Sequence, residues 1–346
     1  MSPSPPHLTR MAAPRVAIIG ATGAVGAELL LCLEQRAFPL SGLRLFASSR
    51  SAGRRLRFRD DSIPVEELSD AALDGIDIAL FSAGGATSRR FALVAAERGA
   101  VVVDNSSAFR MRPDVPLVVP EVNAAAIAAH RGIIANPNCV AIIAAVALWP
   151  LHRHCRIRRV IAATYQSASG AGASAMEELR DSTAAWLEGT DFPPRVLAHP
   201  YAFNLFSHDT DVDPATGYNE EETKVMQEMR KIMQAPELRI GITCIRVPVL
   251  RAHSIALTVE FTEQVAPETM RQVLGAAPGV RLVDDVAHNH FPMPREASGQ
   301  DDVLVGRIRG DVSDPSGRSV ALFVAGDQLR KGAALNAVQI AEGLVG

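Results

Sequence analysis

The stretch IIANPNCVAII, residues 133–143, sets one thiol at the start of an apolar run. A lone cysteine there is either a small core filler or a nucleophile at a helix N-terminus, where the macrodipole and free backbone N–H groups favour a thiolate. Pro137 fixes the entering chain and Asn138 is a good N-cap, so Cys139 falls in the first helical turn. A core cysteine would more naturally lie mid-helix on the apolar face. A thiolate needs a base, and His253 in RVPVLRAHS is the best placed of the nine histidines, following an apolar strand with Arg246 and Arg251 nearby. The same residues also read as a structural histidine between surface charges.

A second candidate for chemistry is GATGAVG, where Gly20, Gly23 and Gly26 follow an apolar strand and open a helix. Such a turn lets backbone N–H groups and a helix N-terminus hold a pyrophosphate; with this G-x-x-G-x-x-G spacing it also reads as a plain tight turn. Roughly 20 residues on, where NAD-binding folds carry an acid for the ribose 2′-hydroxyl, the chain reads ASSRSAG. Ser48, Arg50 and Ser51 suit a 2′-phosphate instead, which favours NADP. In NEEETK, Glu221 and Lys224 lie three apart on one helix face, where they read as an ordinary surface ion pair.

The elements that must position these groups follow two regimes. From Arg15, RVAIIG, LRLFAS, IDIALFSAG, AVVVDNS and PLVVPEV read as short buried strands, with helices in AVGAELLLCLEQR and ATSRRFALVAAERG between them. Strands alternating with helices predict a doubly wound parallel sheet. That pattern ends near ANPNC. Beyond a helix at 139–150, RRVIAATYQSASG, RIGITCIRVPVL, SIALTVEF and DVLVGRIRGDV with RSVALFVAGD predict longer strands of a mixed or antiparallel sheet. Helical pieces GASAMEELRDSTAAWLE and NEEETKVMQEMRKIM sit between them. The expected architecture is thus α/β: a Rossmann-type domain with a doubly wound parallel sheet at 14–138, completed by a C-terminal helix at 329–346, and an α+β domain with a mixed sheet at 139–328. Residues 1–13, Pro/Ser-rich and without an apolar core, read as a disordered tail rather than a secretory signal.

Bulk properties narrow the function classes. A chain of 346 residues exceeds one ordinary core. The formal net charge of −3 is spread along the chain without a basic block, which argues against nucleic acid or a membrane surface as partner. Cys32, Cys139, Cys155 and Cys244 are scattered, with neither C-x-x-C nor clustered histidines, so no metal site or disulfide framework is expected and a reducing cytoplasm fits. The longest apolar run, Val140 to Trp149, is about half of a bilayer span.

GATGAVG, SSRSAG, DNSSAFR, VVPEVN, NPNC, TYQSASGAGA, VPVLRAHS, DDVLVGRIR and LRKGAALNAVQIAE occur in this order along the chain. In that order and spacing the sequence resembles the bacterial-type aspartate-semialdehyde dehydrogenases over residues 14–346. The resemblance implies an NADPH-dependent oxidoreductase of amino-acid biosynthesis, on the route to lysine, threonine, methionine and diaminopimelate. Its reaction would be the reductive dephosphorylation of L-4-aspartyl phosphate to the semialdehyde through a cysteine thioester, by a cytoplasmic homodimer in which residues 139–328 form the catalytic and dimerisation domain. It makes Cys139 the nucleophile, Gln166 (otherwise a strand-end amide) the residue that orients the acyl intermediate, and His253 the acid/base. Arg246 matches the arginine for the substrate α-carboxylate, Glu221 the carboxylate for its amino group, and Lys224 and Arg110 the phosphate ligands, with Asn138 also at the substrate. Gly20, Thr22, Gly23, Ala24, Val25, Arg50, Ser51, Ser169, Gly170 and Asn336 match cofactor contacts. The substrates implied are an acyl phosphate or aldehyde and inorganic phosphate.

The chain departs from the family pattern in two places. Val140 and Ala141 follow the cysteine where the family carries serine and threonine, and Ala252 replaces the glycine before the histidine. Backbone N–H groups remain to stabilise an oxyanion, so altered rate rather than lost chemistry is expected. The rival readings are a reductase of another acyl phosphate, such as N-acetylglutamyl phosphate, and an NADP-binding paralogue with impaired turnover and a regulatory role. An N-acetylated substrate has no ammonium for Glu221, which speaks against the first.

Overall fold

The computed structural model describes residues 11–345. The described residues form two compact units: 11–138 together with 333–345, and Cys139–Gly332. The tail reading for residues 1–10 lies outside the described residues. Met11, which it also covered, donates its backbone N–H to Leu344 and bridges to Val345.

In the first unit the strands are β1 (Arg15–Ile19), β2 (Gly42–Ala47), β3 (Arg55–Phe58), β4 (Asp61–Glu67), β5 (Ile78–Phe81), β6 (Val101–Asp104) and β7 (Ile133–Ala135). They form one sheet in the order β3-β4-β2-β1-β5-β6-β7, parallel except for the β3–β4 hairpin. Strands covered on both faces read as continuous apolar runs, and β5 is buried at all four positions. The helices are α1 (Ala24–Gln35), α2 (Gly85–Glu97) and the single turn α3 (Pro120–Asn123), with α9 (Leu335–Glu342) returning from the chain end. Leu29 and Leu33 of α1 share a core with Leu335, Val338 and Ala341 of α9. Arg36 clamps Glu342 through two bonds of 2.6 and 2.7 Å.

Two details differ from the sequence reading. PLVVPEV is not a strand: Leu117 makes an isolated bridge to Ala135, and Pro120 starts α3. Pro116 and Pro120 within that run lack the N–H groups a ladder would use. The β3–β4 hairpin has no counterpart in that reading, because its residues, RLRFRDDSIPVEE, are too polar for an apolar-run criterion.

The second unit holds α4 (Cys139–His154), β8 (Ile157–Gln166), α5 (Ala173–Leu187), β9 (Phe206–Ser207), α6 (Glu220–Ile232), β10 (Arg239–Arg246) and β11 (His253–Phe261). After these come α7 (Pro267–Gly275), β12 (Val280–Leu282), α8 (Pro294–Ala297), β13 (Val303–Gly310) and β14 (Ser319–Gly326). The mixed sheet runs β12-β13-β14-β11-β8-β10-β9. Along β8 the residues alternate, Val160, Ala162, Thr164 and Gln166 buried and Ile161 and Tyr165 exposed, so one sheet face carries the core. Helix α4 packs on α6 and on α7, and all three lie against these strands. Residues Arg330–Ala334 form a π-helical turn ahead of α9, so the chain leaves this unit at Gly332 rather than at residue 328.

Candidate active site

Strand register gathers the polar groups of the second unit. β8 is parallel to β10 and antiparallel to β11, so the C-terminal ends of β8 and β10 and the start of β11 share one edge. Gln166 stands opposite Arg246, and Ser254, next to His253, opposite Tyr165. Three side chains far apart in sequence are therefore side by side, all of them buried.

His253 is wholly buried, and the Ser167 backbone N–H donates to its Nδ1 at 3.0 Å. A backbone N–H can only donate, so Nδ1 carries the lone pair and the ring proton resides on Nε2. Nε2 has no partner among the described residues. Burial, with Arg246 and His208 adding to it, holds the His253 pKa well below the ordinary 6.5. The ring is a neutral Nε2–H donor.

Arg246 is 3% exposed. Its Nη1 donates to the Ser167 carbonyl at 3.2 Å and its Nη2 bonds His208 Nε2 at 2.9 Å, with Asp209 at 3.5 Å. Its Nε has no partner among the described residues. Leaving such groups unpaired in a protein interior costs about 1–3 kcal/mol each, and both unpaired atoms are donors, a pattern that suits an anionic or carbonyl ligand. Gly170 sets the space beside them: a Cβ there would lie 3.0 Å from His253 Nε2 and 3.4 Å from Arg246 Nη1.

Gln166 accepts from Thr164 Oγ1 at 2.9 Å and donates through Nε2 to Glu221 Oε1 at 3.1 Å. Glu221 lies in the first turn of α6, whose start is fixed by a capping box between Asn219 and Glu222. Lys224 is on the same helix, but its ammonium meets Glu220 at 2.9 Å rather than Glu221, the pairing expected at i,i+4. Arg251 is bound to the buried Asp327 at 2.7 Å and does not join the group around His253.

Cys139 is the first residue of α4 and is partly exposed. Gly332 passes against it, since a Cβ there would be 3.0 Å from the Cys139 Cβ. Val140 and Ala141 are fully buried. Ala252 has φ +72°, the left-handed conformation in which the family's glycine is free of strain. Its methyl joins a small apolar cluster with Ala297, Leu304 and Ala325, which offsets part of that cost. Ser169 is buried behind the site, its hydroxyl bonded to Ser167 and to Gln328.

The first unit carries the other residues. Gly20 (φ +89°) turns the chain after β1, and a Cβ on Gly26 would be 2.2 Å from the Gly20 carbonyl, so α1 presses onto that turn. No side chain caps the N-terminus of α1 and its first turn carries no acid, which leaves the N–H groups around Ala24 and Val25 available to a phosphate. A cleft of 570 Å³ opens there, lined among others by Gly20, Thr22, Gly23, Ser48 and Ser49. Arg50 is exposed nearby in sequence, and the Ser51 hydroxyl accepts from Thr22 at 3.4 Å. This donor set, at the carboxyl ends of parallel strands, fits a dinucleotide. Arg110 donates to the carbonyls of Asn136 and Asn105, at 3.0 and 2.7 Å. Asn336 donates to Val118 O and to Asn136 Oδ1, at 2.9 and 2.6 Å. Asn138 is buried.

His208, Thr164, Ser167 and Gly332 escape sequence reasoning. Ser167 sits inside TYQSASG and Gly332 inside LRKGAA, whereas nothing in the sequence around His208 marks it.

The family model "Semialdehyde dehydrogenase, NAD binding domain" matches residues 15–130, and "Semialdehyde dehydrogenase, dimerisation domain" matches residues 148–331. The aspartate-semialdehyde dehydrogenase of a Synechocystis strain is 55% identical over 331 residues, 96% of this chain and 97% of that protein. The Bacillus subtilis enzyme of the same name is 44% identical, covering 95% and 96%. The crystal structure of Vibrio cholerae aspartate semialdehyde dehydrogenase II complexed with ASA superposes with a TM-score of 0.93 at 42% identity, over 96% of this chain and 98% of that one.

Proposed function

The chain belongs to the aspartate-semialdehyde dehydrogenase family, phosphorylating oxidoreductases of amino-acid biosynthesis, and from that premise we propose a specific reaction. It converts L-4-aspartyl phosphate to L-aspartate 4-semialdehyde with NADPH, through a thioester on Cys139. The observation that carries this is the pair of buried, unpartnered donors, Arg246 Nε and His253 Nε2, beside Gly170. A site built of donors suits a substrate with a carboxylate at one end and a carbonyl that becomes an oxyanion at the other.

Arg246 binds the α-carboxylate through its free Nε edge, and Glu221, held by Gln166, faces the α-ammonium. The Cys139 thiolate attacks the acyl carbon, backbone N–H groups and His253 Nε2–H stabilise the oxyanion, and the C–O bond to phosphate breaks to leave the thioester. Lys224 and Arg110 are the phosphate ligands. Thr22 to Val25 and the α1 N-terminus would hold the pyrophosphate and Arg50 with Ser51 the 2′-phosphate; Ser169, Gly170 and Asn336 are further assigned contacts. When bound, the reduced nicotinamide supplies the hydride that reduces the thioester carbonyl. The resulting alkoxide, on the substrate carbon bonded to the Cys139 sulfur, collapses to the aldehyde as that C–S bond breaks and the thiolate leaves. Because collapse passes through the alkoxide, His253 needs only to donate a hydrogen bond at Nε2, which is what its tautomer permits. The exposed face of the second sheet, with Ile161 and Tyr165, is where a second copy would sit in a homodimer.

A reverse assay tests the reading: NADP reduction with aspartate semialdehyde, dependent on phosphate, abolished in Cys139→Ala. Alkylation should label Cys139 before Cys32 and Cys244, which are buried, and before Cys155. Turnover without phosphate, or an active Cys139→Ala protein, would refute it.

A further inference from the structure

We propose that His208 is a positioning residue: as a neutral acceptor it sets the Arg246 guanidinium and, through Thr210, ties it to the turn that carries Glu221. The inference rests on the assignment of Arg246 and Glu221 to the two charged ends of the substrate. The imidazole follows β9 and is nearly buried, its side chain 10% exposed. Its backbone N–H donates to the Cys244 carbonyl at 2.9 Å, fixing the residue beside β10.

The direction of the contact is forced. Arginine nitrogens can only donate, so His208 Nε2, 2.9 Å from Arg246 Nη2, is the acceptor and the ring proton is on Nδ1. That proton has Thr210 Oγ1 as its acceptor at 3.3 Å. The same hydroxyl oxygen accepts the Glu221 backbone N–H at 3.3 Å. A continuous chain thus runs from the guanidinium through His208 and Thr210 to the first turn of α6. With Nη1 on the Ser167 carbonyl and Nη2 on His208, the guanidinium keeps one orientation, and its Nε–H is left for a ligand.

Protonation would undo this. An imidazolium has no lone pair for Nη2 and would place a second cation against the guanidinium. The charged and titratable groups facing His208 are Arg246 on β10, Glu221 and Lys224 on α6, its neighbour Asp209 and, across the site, His253 on β11. Burial, more than Glu221 opposes it, holds the His208 pKa below the ordinary 6.5, so the acceptor form prevails at neutral pH.

Steady-state kinetics of the full-length protein, in the semialdehyde direction at saturating phosphate and NADP, tests the proposal. His208→Leu should raise KM for semialdehyde by at least about tenfold, the loss expected when a charge-assisted bond is misaligned, with kcat within about threefold. His208→Gln, which keeps an acceptor that cannot titrate, should restore KM. Wild-type KM should rise as pH falls below 6.5, and this rise should be absent in His208→Gln. An unchanged KM in His208→Leu, equal losses in kcat and every KM, or the same pH rise in His208→Gln would overturn the inference. The pH comparison stands even if His208→Leu does not fold. Arg246→Lys is measured alongside: if it raises KM and His208→Leu does not, only this inference fails. An Arg246→Lys protein with unchanged KM refutes the carboxylate assignment and the inference with it.

Discussion

Gly170→Ala adds one methyl at the most informative place in the site. The glycine backbone is one that alanine adopts without strain, so the effect comes from space alone. The new Cβ would lie 2.9 Å from His253 Cε1, 3.0 Å from Nε2 and 3.4 Å from Arg246 Nη1. Carbon contacts are comfortable from about 3.5 Å, so the ring must retreat by about half an ångström. It cannot do so freely, being fully buried and held by Ser167 at 3.0 Å. Overpacking of this kind costs about 1–3 kcal/mol in stability. A misplacement of about 1 Å at a reacting centre can cost about 100-fold in rate, so the smaller shift, with Nε2–H partly covered, should lower kcat by about 10- to 100-fold, or about 1.4–2.7 kcal/mol in activation free energy. Reverse-direction kinetics, titration of NADP by fluorescence and thermal unfolding separate the possibilities. The expected result is a kcat loss in that range, larger than any loss of NADP affinity through the assigned cofactor contact. If kcat/KM stays near wild type, His253 Nε2 does not face the reacting atoms. A loss confined to NADP affinity would make Gly170 a cofactor contact and nothing more.

Arg50 and the lack of an acid at the end of β2 should make NADP preferred over NAD by at least about tenfold, or about 1.4 kcal/mol; Arg50→Asp should erase the preference, and equal efficiency with both cofactors in the wild type refutes it. Arg246→Lys should cost about 1.5–3 kcal/mol in kcat/KM for semialdehyde, because one ammonium cannot reproduce the Nε edge, whereas Lys224→Ala should chiefly raise KM for phosphate. The reverse pattern, from varying the two substrates separately, would exchange the assignments. His253 has a folded pKa far below 6.5. Below the ordinary value the unfolded chain takes up a proton that the folded chain refuses, so stability falls with pH by up to about 1.4 kcal/mol per unit, and above that value the contribution vanishes. Urea unfolding at about pH 7.5 and about pH 5.5 should therefore show a larger loss in wild type than in His253→Gln, and equal losses would mean that the imidazole titrates freely.

What was legible in the sequence was local. GATGAVG lies at the β1–α1 turn because strand, glycines and helix are consecutive, and Cys139 opens α4 because Pro137 and Asn138 precede an unbroken apolar run. The strand PLVVPEV was misread because apolar content hid two prolines. The company that Gln166, Arg246 and His253 keep was not legible, since it depends on strand order and register across a mixed sheet. His208 escaped for the same reason: its role is set by the nitrogen it turns towards Arg246. The partner of Lys224 was one residue off, because helical spacing fixes the face and leaves open which carboxylate on it is met.

The register that joins the ends of β8, β10 and β11 also decides when the site comes into being during folding. Ser167 meets His253 across 86 residues and Arg246 across 79. Such non-local pairings close late, after the loop-closure entropy has been spent. No fragment of the second unit that lacks one of the three strands can hold the donors together, so catalysis and the native sheet must appear in the same step. Regain of activity during refolding then reports the slowest strand pairing, while helix content, set by local contacts in α4, α5 and α6, returns earlier.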